Sequence, residues 1–129
     1  IIGYDEKLSH VLQGGSDAIL VPSRFEPCGL TQLYGVRYGT LPVVAKTGGL
    51  ADTVVDADSA SLKSRRATGI VFSPINAEEL ANAIHRTCDL FADQPVWKRM
   101  VLTAMKYPVG WDRSASLYHD LYKDLADSK

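Results

Sequence analysis

Arg24, Glu26 and Gly29 fall within one short loop, Ser23-Arg24-Phe25-Glu26-Pro27-Cys28-Gly29, just ahead of a segment with helical spacing. That combination suits an anion held next to hydroxyl groups. The first N–H groups of a helix have no internal partner and lie at the positive end of its dipole. The amides of Cys28, Gly29, Leu30 and Thr31 are therefore candidate donors to a phosphate. Gly29 permits close approach of a ligand to the backbone. Glu26 repels a phosphate, because like charges repel. Its oxygens are better suited to accept from sugar hydroxyls, as at the sugar end of a nucleotide sugar. The bland alternative is a surface ion pair of Arg24 with Glu26 and a Gly29 that serves only a turn.

The elements around the loop place it. Ala18-Ile19-Leu20-Val21 is a continuous apolar run without alternation, as expected for a parallel-sheet strand buried on both faces. Pro22 ends it. From Leu30 the period changes, and Leu30, Leu33, Tyr34 and Tyr38 fall on one helical face. Gly39 stops that helix, and Pro42 precedes a second apolar run, Val43-Val44-Ala45. The unit is strand, loop, helix, strand, in which ligands sit where a strand ends and the next helix begins. Next, Thr47, Gly48 and Gly49 form a tight turn whose amides face either this loop or the opposite side of a ligand site. Leu50 to Val55 reads as a short helix.

The rest of the chain reads as scaffold. Tyr4 to Leu12 predicts a helix capped by Asp5, with Leu8, Val11 and Leu12 inward and Gly14-Gly15 at its end. Asp56 to Thr68, with its basic Lys63-Ser64-Arg65-Arg66, predicts a surface loop. Gly69 to Phe72 predicts a strand closed by Pro74. Asn76 and Glu79 form a capping box for a helix with Leu80, Ala83, Ile84, Thr87, Cys88 and Phe91 inward, which makes Cys88 a core residue. Asp93 and Pro95 open a helix with Trp97, Met100, Val101 and Ala104 inward. Trp111 and Asp112 open the last, striped by Leu117, Tyr118, Leu121, Tyr122 and Leu125. The chain of 129 residues suffices for one domain with a modest core, and 46% hydrophobic with 22% charged residues is an ordinary globular balance. A net charge of −1 leaves no nucleic-acid footprint, and no apolar run is long enough to span a membrane. Cys28 and Cys88 make neither a disulfide framework nor a zinc spacing, which fits a reducing cytosol. The chain opens on Ile1-Ile2-Gly3, like the end of a strand, so it is expected to be a C-terminal piece of a longer protein.

The run from Val21 to Gly35, VPSRFEPCGLTQLYG, and Thr47-Gly48-Gly49-Leu50-Ala51-Asp52-Thr53-Val54 resemble the donor-binding signature of bacterial glycogen synthases and plant starch synthases. These are retaining glucosyltransferases with two Rossmann-like domains, the GT-B arrangement. Related retaining glycosyltransferases carry two glutamates here; the first matches Glu26, and the second position holds Tyr34, as in the glycogen and starch synthase branch. The resemblance implies an α/β fold with a Rossmann-like parallel sheet, the latter part of a GT-B C-terminal domain over residues 1–110. Residues 111–129 would form a helix packing toward an N-terminal domain.

It implies transfer of glucose from ADP-glucose to an α-1,4-glucan such as glycogen, in the bacterial cytoplasm, without metal or cofactor. Glu26 would hold glucosyl hydroxyls as the catalytic-site carboxylate, and amides of Cys28, Gly29, Leu30 and Thr31 would hold sugar and diphosphate. Tyr4 would stack on the adenine; without the resemblance it is a core or rim aromatic. Arg24, Thr47, Gly48 and Gly49 are further candidates. Lys46-Thr47-Gly48-Gly49-Leu50 also spells a motif found near the N-terminus of these enzymes, but its neighbours match the C-terminal look-alike, so Lys46 is expected to be solvated. The basic diphosphate clamp and the acceptor-side residues of the family lie outside this sequence, so this chain alone is expected to be inactive. Two alternatives are a related transferase using a UDP-sugar and a non-catalytic nucleotide-binding module.

Overall fold

The computed structural model describes residues 2–127. Asp5 caps the first helix, α1 (Glu6–Gly14), its carboxylate accepting from the Leu8 amide at 2.9 Å. There follow β1 (Ala18–Val21), α2 (Thr31–Tyr38), β2 (Leu41–Ala45), α3 (Gly48–Thr53), α4 (Ser59–Lys63), β3 (Ile70–Phe72), α5 (Ala77–Ala92), α6 (Gln94–Met105) and α7 (Trp111–Asp127). Of the strand end expected at Ile1-Ile2-Gly3, Ile1 lies outside the described residues, and Ile2 and Gly3 form no strand. Ser128 and Lys129 of the expected last helix also lie outside them.

The strands pair in parallel in the order β1-β2-β3, with Ala18 opposite Leu41 and Val43 opposite Ile70. Central β2 is buried throughout, and alternation along it divides the core. Leu41, Val43 and Ala45 join Val36, Trp97 and Met100 on one side of the sheet. Val44 meets Val21, Leu50 and Val54 on the other. Pro42 lies inside β2 rather than ahead of it. The ladder to β3 begins only at Val43, so its missing N–H falls before that pairing starts. Strand β1 has a neighbour on one side only among the described residues, and Leu20 is exposed, against the expectation of burial on both faces.

Helix starts follow their caps. Asn76 Oδ1 accepts from the Glu79 amide at 2.8 Å, and Asp93 Oδ1 from the Val96 amide at 3.2 Å. The inward face of α6 is as expected, with Trp97, Met100 and Ala104 buried. Three faces are not. Helix α2 buries Gln32, Gly35 and Val36, leaving Leu30, Tyr34 and Tyr38 exposed. Helix α1 buries Gln13 and exposes Val11 and Leu12. Cys88 is exposed, because α5 turns Ala83 into the core. All of α7 is exposed, its leucine and tyrosine stripe included.

The segment expected to be a surface loop contains α4 and buries Ser61, Ala67 and Thr68. Asp58 caps α4, accepting from the Ser61 amide at 2.6 Å, and that bond holds its carboxyl below the usual carboxylate range. A carboxyl more acidic folded than unfolded stabilises the fold fully above the ordinary value of about 4 and loses that contribution as pH falls below it. Thermal unfolding of Asp58→Ala is therefore expected to fall below that of the unaltered protein at pH 7, with the gap narrowing as pH falls below about 4. A gap of constant size would contradict the capping role. Asp56 makes the neighbouring joint: one carboxylate oxygen accepts from the Val71 amide at 2.7 Å and from Arg86 at 2.5 Å. This ties the lead-in of α4 to β3 and α5.

Candidate functional site

The site forms where β1 and β2 end and α2 and α3 begin, the expected place in a parallel sheet. The loop from Ser23 to Leu30 leaves the end of β1 and crosses directly over the first turn of α3. The Gly49 amide donates to the carbonyls of Glu26 at 3.3 Å and Pro27 at 3.1 Å. A methyl group on Gly48 would stand 2.0 Å from the Glu26 carbonyl oxygen, and one on Gly49 2.5 Å from that of Cys28. The glycine pair thus lets two backbones touch, and belongs to the first turn of α3 rather than to a turn before it.

Glu26 is half-buried, and the one hydrogen-bond partner of its carboxylate among the described residues is the Ser23 hydroxyl at 3.5 Å. Arg24 is exposed and does not pair with Glu26; the ion pair among the described residues is that of Arg86 with Asp56, at the joint of β3 and α5. The carboxylate therefore keeps acceptor capacity for a ligand.

Gly29 takes the left-handed conformation, φ 71°, which turns the chain into α2. Among the described residues no acceptor receives the N–H of Cys28, Gly29, Leu30 or Thr31, and α2 has no side-chain cap. Four successive free donors at a helix start form an anion-seeking surface. Cys28, Leu30 and Thr31 are exposed beside them. Thr47 accepts at its carbonyl from the Leu50 and Ala51 amides and leaves its side chain out of the cap. Lys46 is exposed. A groove at the ends of β2 and β3 is lined by Lys46, Ala51, Asp56 and Ser73, not by the loop.

Tyr4 is 88% exposed, just before the first turn of α1. Tyr34, at the position of the second glutamate in related enzymes, faces α1 instead of the loop. Its ring lies edge-on to His10 at 5.9 Å, and His10 Nδ1 is 2.9 Å from the Tyr38 hydroxyl.

One residue of this region escaped the sequence reading. Gln32 is fully buried in α2, and its amide nitrogen donates to the carbonyls of Gly29 at 2.8 Å and Cys28 at 3.1 Å. It also reaches the Thr53 hydroxyl at 3.1 Å, which donates to the Gly49 carbonyl at 2.6 Å. The available signal was a glutamine three positions after Gly29, within reach of the turn's carbonyls.

Among the described residues no helix is long and apolar enough to cross a membrane, and no three His, Cys, Asp or Glu side chains converge on a metal position. The family model of group 1 glycosyl transferases matches residues 1–95. Glycogen synthase from Jannaschia sp. (strain CCS1) is 70% identical over 97% of this chain and 26% of its own length. Glycogen synthase from Roseobacter denitrificans is 61% identical over the same shares. The chain thus spans about a quarter of the length of these relatives. Among solved structures, the catalytic domain of starch synthase IV from Arabidopsis thaliana, bound to ADP and acarbose, superposes with a TM-score of 0.86 at 37% identity. That match covers 96% of this chain and 25% of that one. The expected α/β fold of the GT-B type is borne out, and with the family model matched over most of its length, the chain belongs to the group 1 glycosyl transferases.

Proposed function

We propose that this chain is the donor-binding part of a bacterial glycogen synthase, which transfers glucose from ADP-glucose to the non-reducing end of an α-1,4-glucan with retention. The observation that carries the reading is the row of free amides from Cys28 to Thr31 beside an unpaired Glu26. The amides receive the diphosphate and the near side of the sugar, and Glu26 accepts from glucosyl hydroxyls. Arg24 belongs to the same loop and Thr47 and Gly48 border it, whereas the Gly49 amide props it. Tyr4 stacks on the adenine. The bond from the anomeric carbon to phosphate breaks as the acceptor 4-hydroxyl attacks on the same face, and the leaving phosphate takes its proton. Fixed donors at that phosphate stabilise the charge as it develops. Support comes from the 70% identity to a glycogen synthase and from a structural neighbour described as bound to ADP and acarbose.

The apolar stripe of α7 packs against an N-terminal domain in this reading, with residues 1–110 as the nucleotide-sugar unit. The near-neutral net charge fits a carbohydrate partner better than a nucleic acid. Labelled glucose supplied as ADP-glucose or UDP-glucose to the full-length protein with glycogen tests the proposal. Incorporation from ADP-glucose at a kcat/KM at least about tenfold above that from UDP-glucose, a donor preference of about 1.4 kcal/mol, is expected. Incorporation from neither donor would overturn it.

A further inference from the structure

We propose that Gln32 is the positioning residue of the donor loop: from inside the fold it grips the carbonyls of Cys28 and Gly29, and so aims the amides of Gly29 and Leu30 outward at the diphosphate. The inference rests on the donor-site reading above. Its basis is the geometry of the peptide unit. In a planar trans peptide the C=O and N–H point opposite ways. The Cys28 carbonyl and the Gly29 amide belong to one such unit, and the Gly29 carbonyl and the Leu30 amide to the next; the cis bond of this chain lies elsewhere, at Ser73–Pro74. Both carbonyls are held by the buried Gln32 nitrogen, at 3.1 and 2.8 Å, so both amides must face away from it.

The grip extends further. The third acceptor, the Thr53 hydroxyl, donates to the Gly49 carbonyl, and the Gly49 amide returns to the carbonyls of Glu26 and Pro27. The circuit therefore closes through α2, α3 and the loop, and includes the residue that carries the carboxylate. The amide orientation is dictated as well. Turned over, Gln32 would set its oxygen against two carbonyl oxygens, a contact with no proton in it. The other end of Gln32 is a cost: its Oε1 is buried with no partner among the described residues. An apolar side chain of the same size avoids that cost but supplies no donor.

The test uses two variants of the full-length protein. Gln32→Glu keeps the size and replaces the donor by a charged acceptor; Gln32→Met keeps the volume and removes hydrogen bonding. For each folded variant, calorimetric ADP affinity is expected to fall by at least about tenfold, with a matching rise in the KM for ADP-glucose. The KM for glycogen is expected to stay within about twofold of the unaltered value, since the acceptor does not use these amides. A role in stability alone would lower the melting temperature and the active fraction but leave both KM values unchanged. Unaltered protein that binds ADP, with either folded variant binding it equally well, overturns the inference and leaves the donor-site reading standing. Unaltered protein that does not bind ADP overturns both.

Discussion

Glu26→Ala is expected to lower the turnover of the full-length protein by roughly 100-fold or more, with the melting temperature within about 3 °C of the unaltered value. The two halves of that expectation have separate origins. Within the fold the Glu26 carboxylate makes one long hydrogen bond, to Ser23 at 3.5 Å, and no ion pair, so its loss removes little that holds the protein together. Toward a glucosyl unit it offers an ionised acceptor to two hydroxyls, each hydrogen bond to a charged group contributing about 1.5–3 kcal/mol. A loss of about 3 kcal/mol or more from the transition state is roughly a hundredfold in rate. Steady-state kinetics with ADP-glucose and glycogen, alongside thermal unfolding, make the check. A variant with unaltered kcat and KM removes Glu26 from the site. One that is both inactive and unfolded shows that the carboxylate is structural.

Gly48→Ala is expected to do the opposite, damaging fold and site together. The added methyl group would lie 2.0 Å from the Glu26 carbonyl oxygen and 3.0 Å from its carbon. Neither atom belongs to a side chain that can rotate aside, so the loop or the first turn of α3 must move. Gly48 also has φ 41°, a conformation costing an alanine about 1–2 kcal/mol. With overpacking of about 1–3 kcal/mol in addition, destabilisation of about 2–5 kcal/mol follows. Moving the loop also carries Glu26 and the amides of Cys28 to Thr31 off their positions, so the KM for ADP-glucose should rise along with the loss of stability. Thermal unfolding and donor saturation curves on the same preparation measure both. A Gly48→Ala protein with unaltered melting temperature and KM contradicts the backbone contact between loop and helix. The exposed face of α5 provides a control: Ala81→Gly should cost only about 1 kcal/mol, without a change in KM.

The contrast between these glycines and the misjudged helix faces separates what local sequence encodes from what it does not. Asp5, Asn76 and Asp93 announce their helices because a cap closes within three residues, and the hydrogen bonds form as expected. The strand-loop-helix-strand unit is legible for the same reason, since Pro22 and Gly39 act on their own neighbours. Helix α4 was missed because five residues are too few for a period to appear.

Helix α2 was turned the wrong way round because periodicity scores apolarity, whereas its buried face is Gln32, Gly35 and Val36. A buried glutamine is stable only where acceptors surround it. One of those acceptors, Thr53, lies 21 residues away in sequence and beside it only in the fold. The same limit applies to Val11, Leu12, Cys88 and the α7 stripe: amphipathic spacing marks a face suited to burial without saying against what. The site loop was legible as a strand-end turn before a helix. That it rests on α3, and that Gln32 orients it, depends on contacts between segments that no local pattern contains.

The claim beneath all of this is that the main chain from Cys28 to Thr31 is the anion receptor. Its most direct test is an experimental structure of the full-length protein with ADP bound. The Gly29 and Leu30 nitrogens should lie about 3 Å from phosphate oxygens, with the Gln32 amide still on the two carbonyls behind them. A diphosphate seated elsewhere, with those nitrogens bonded to protein acceptors, would contradict it.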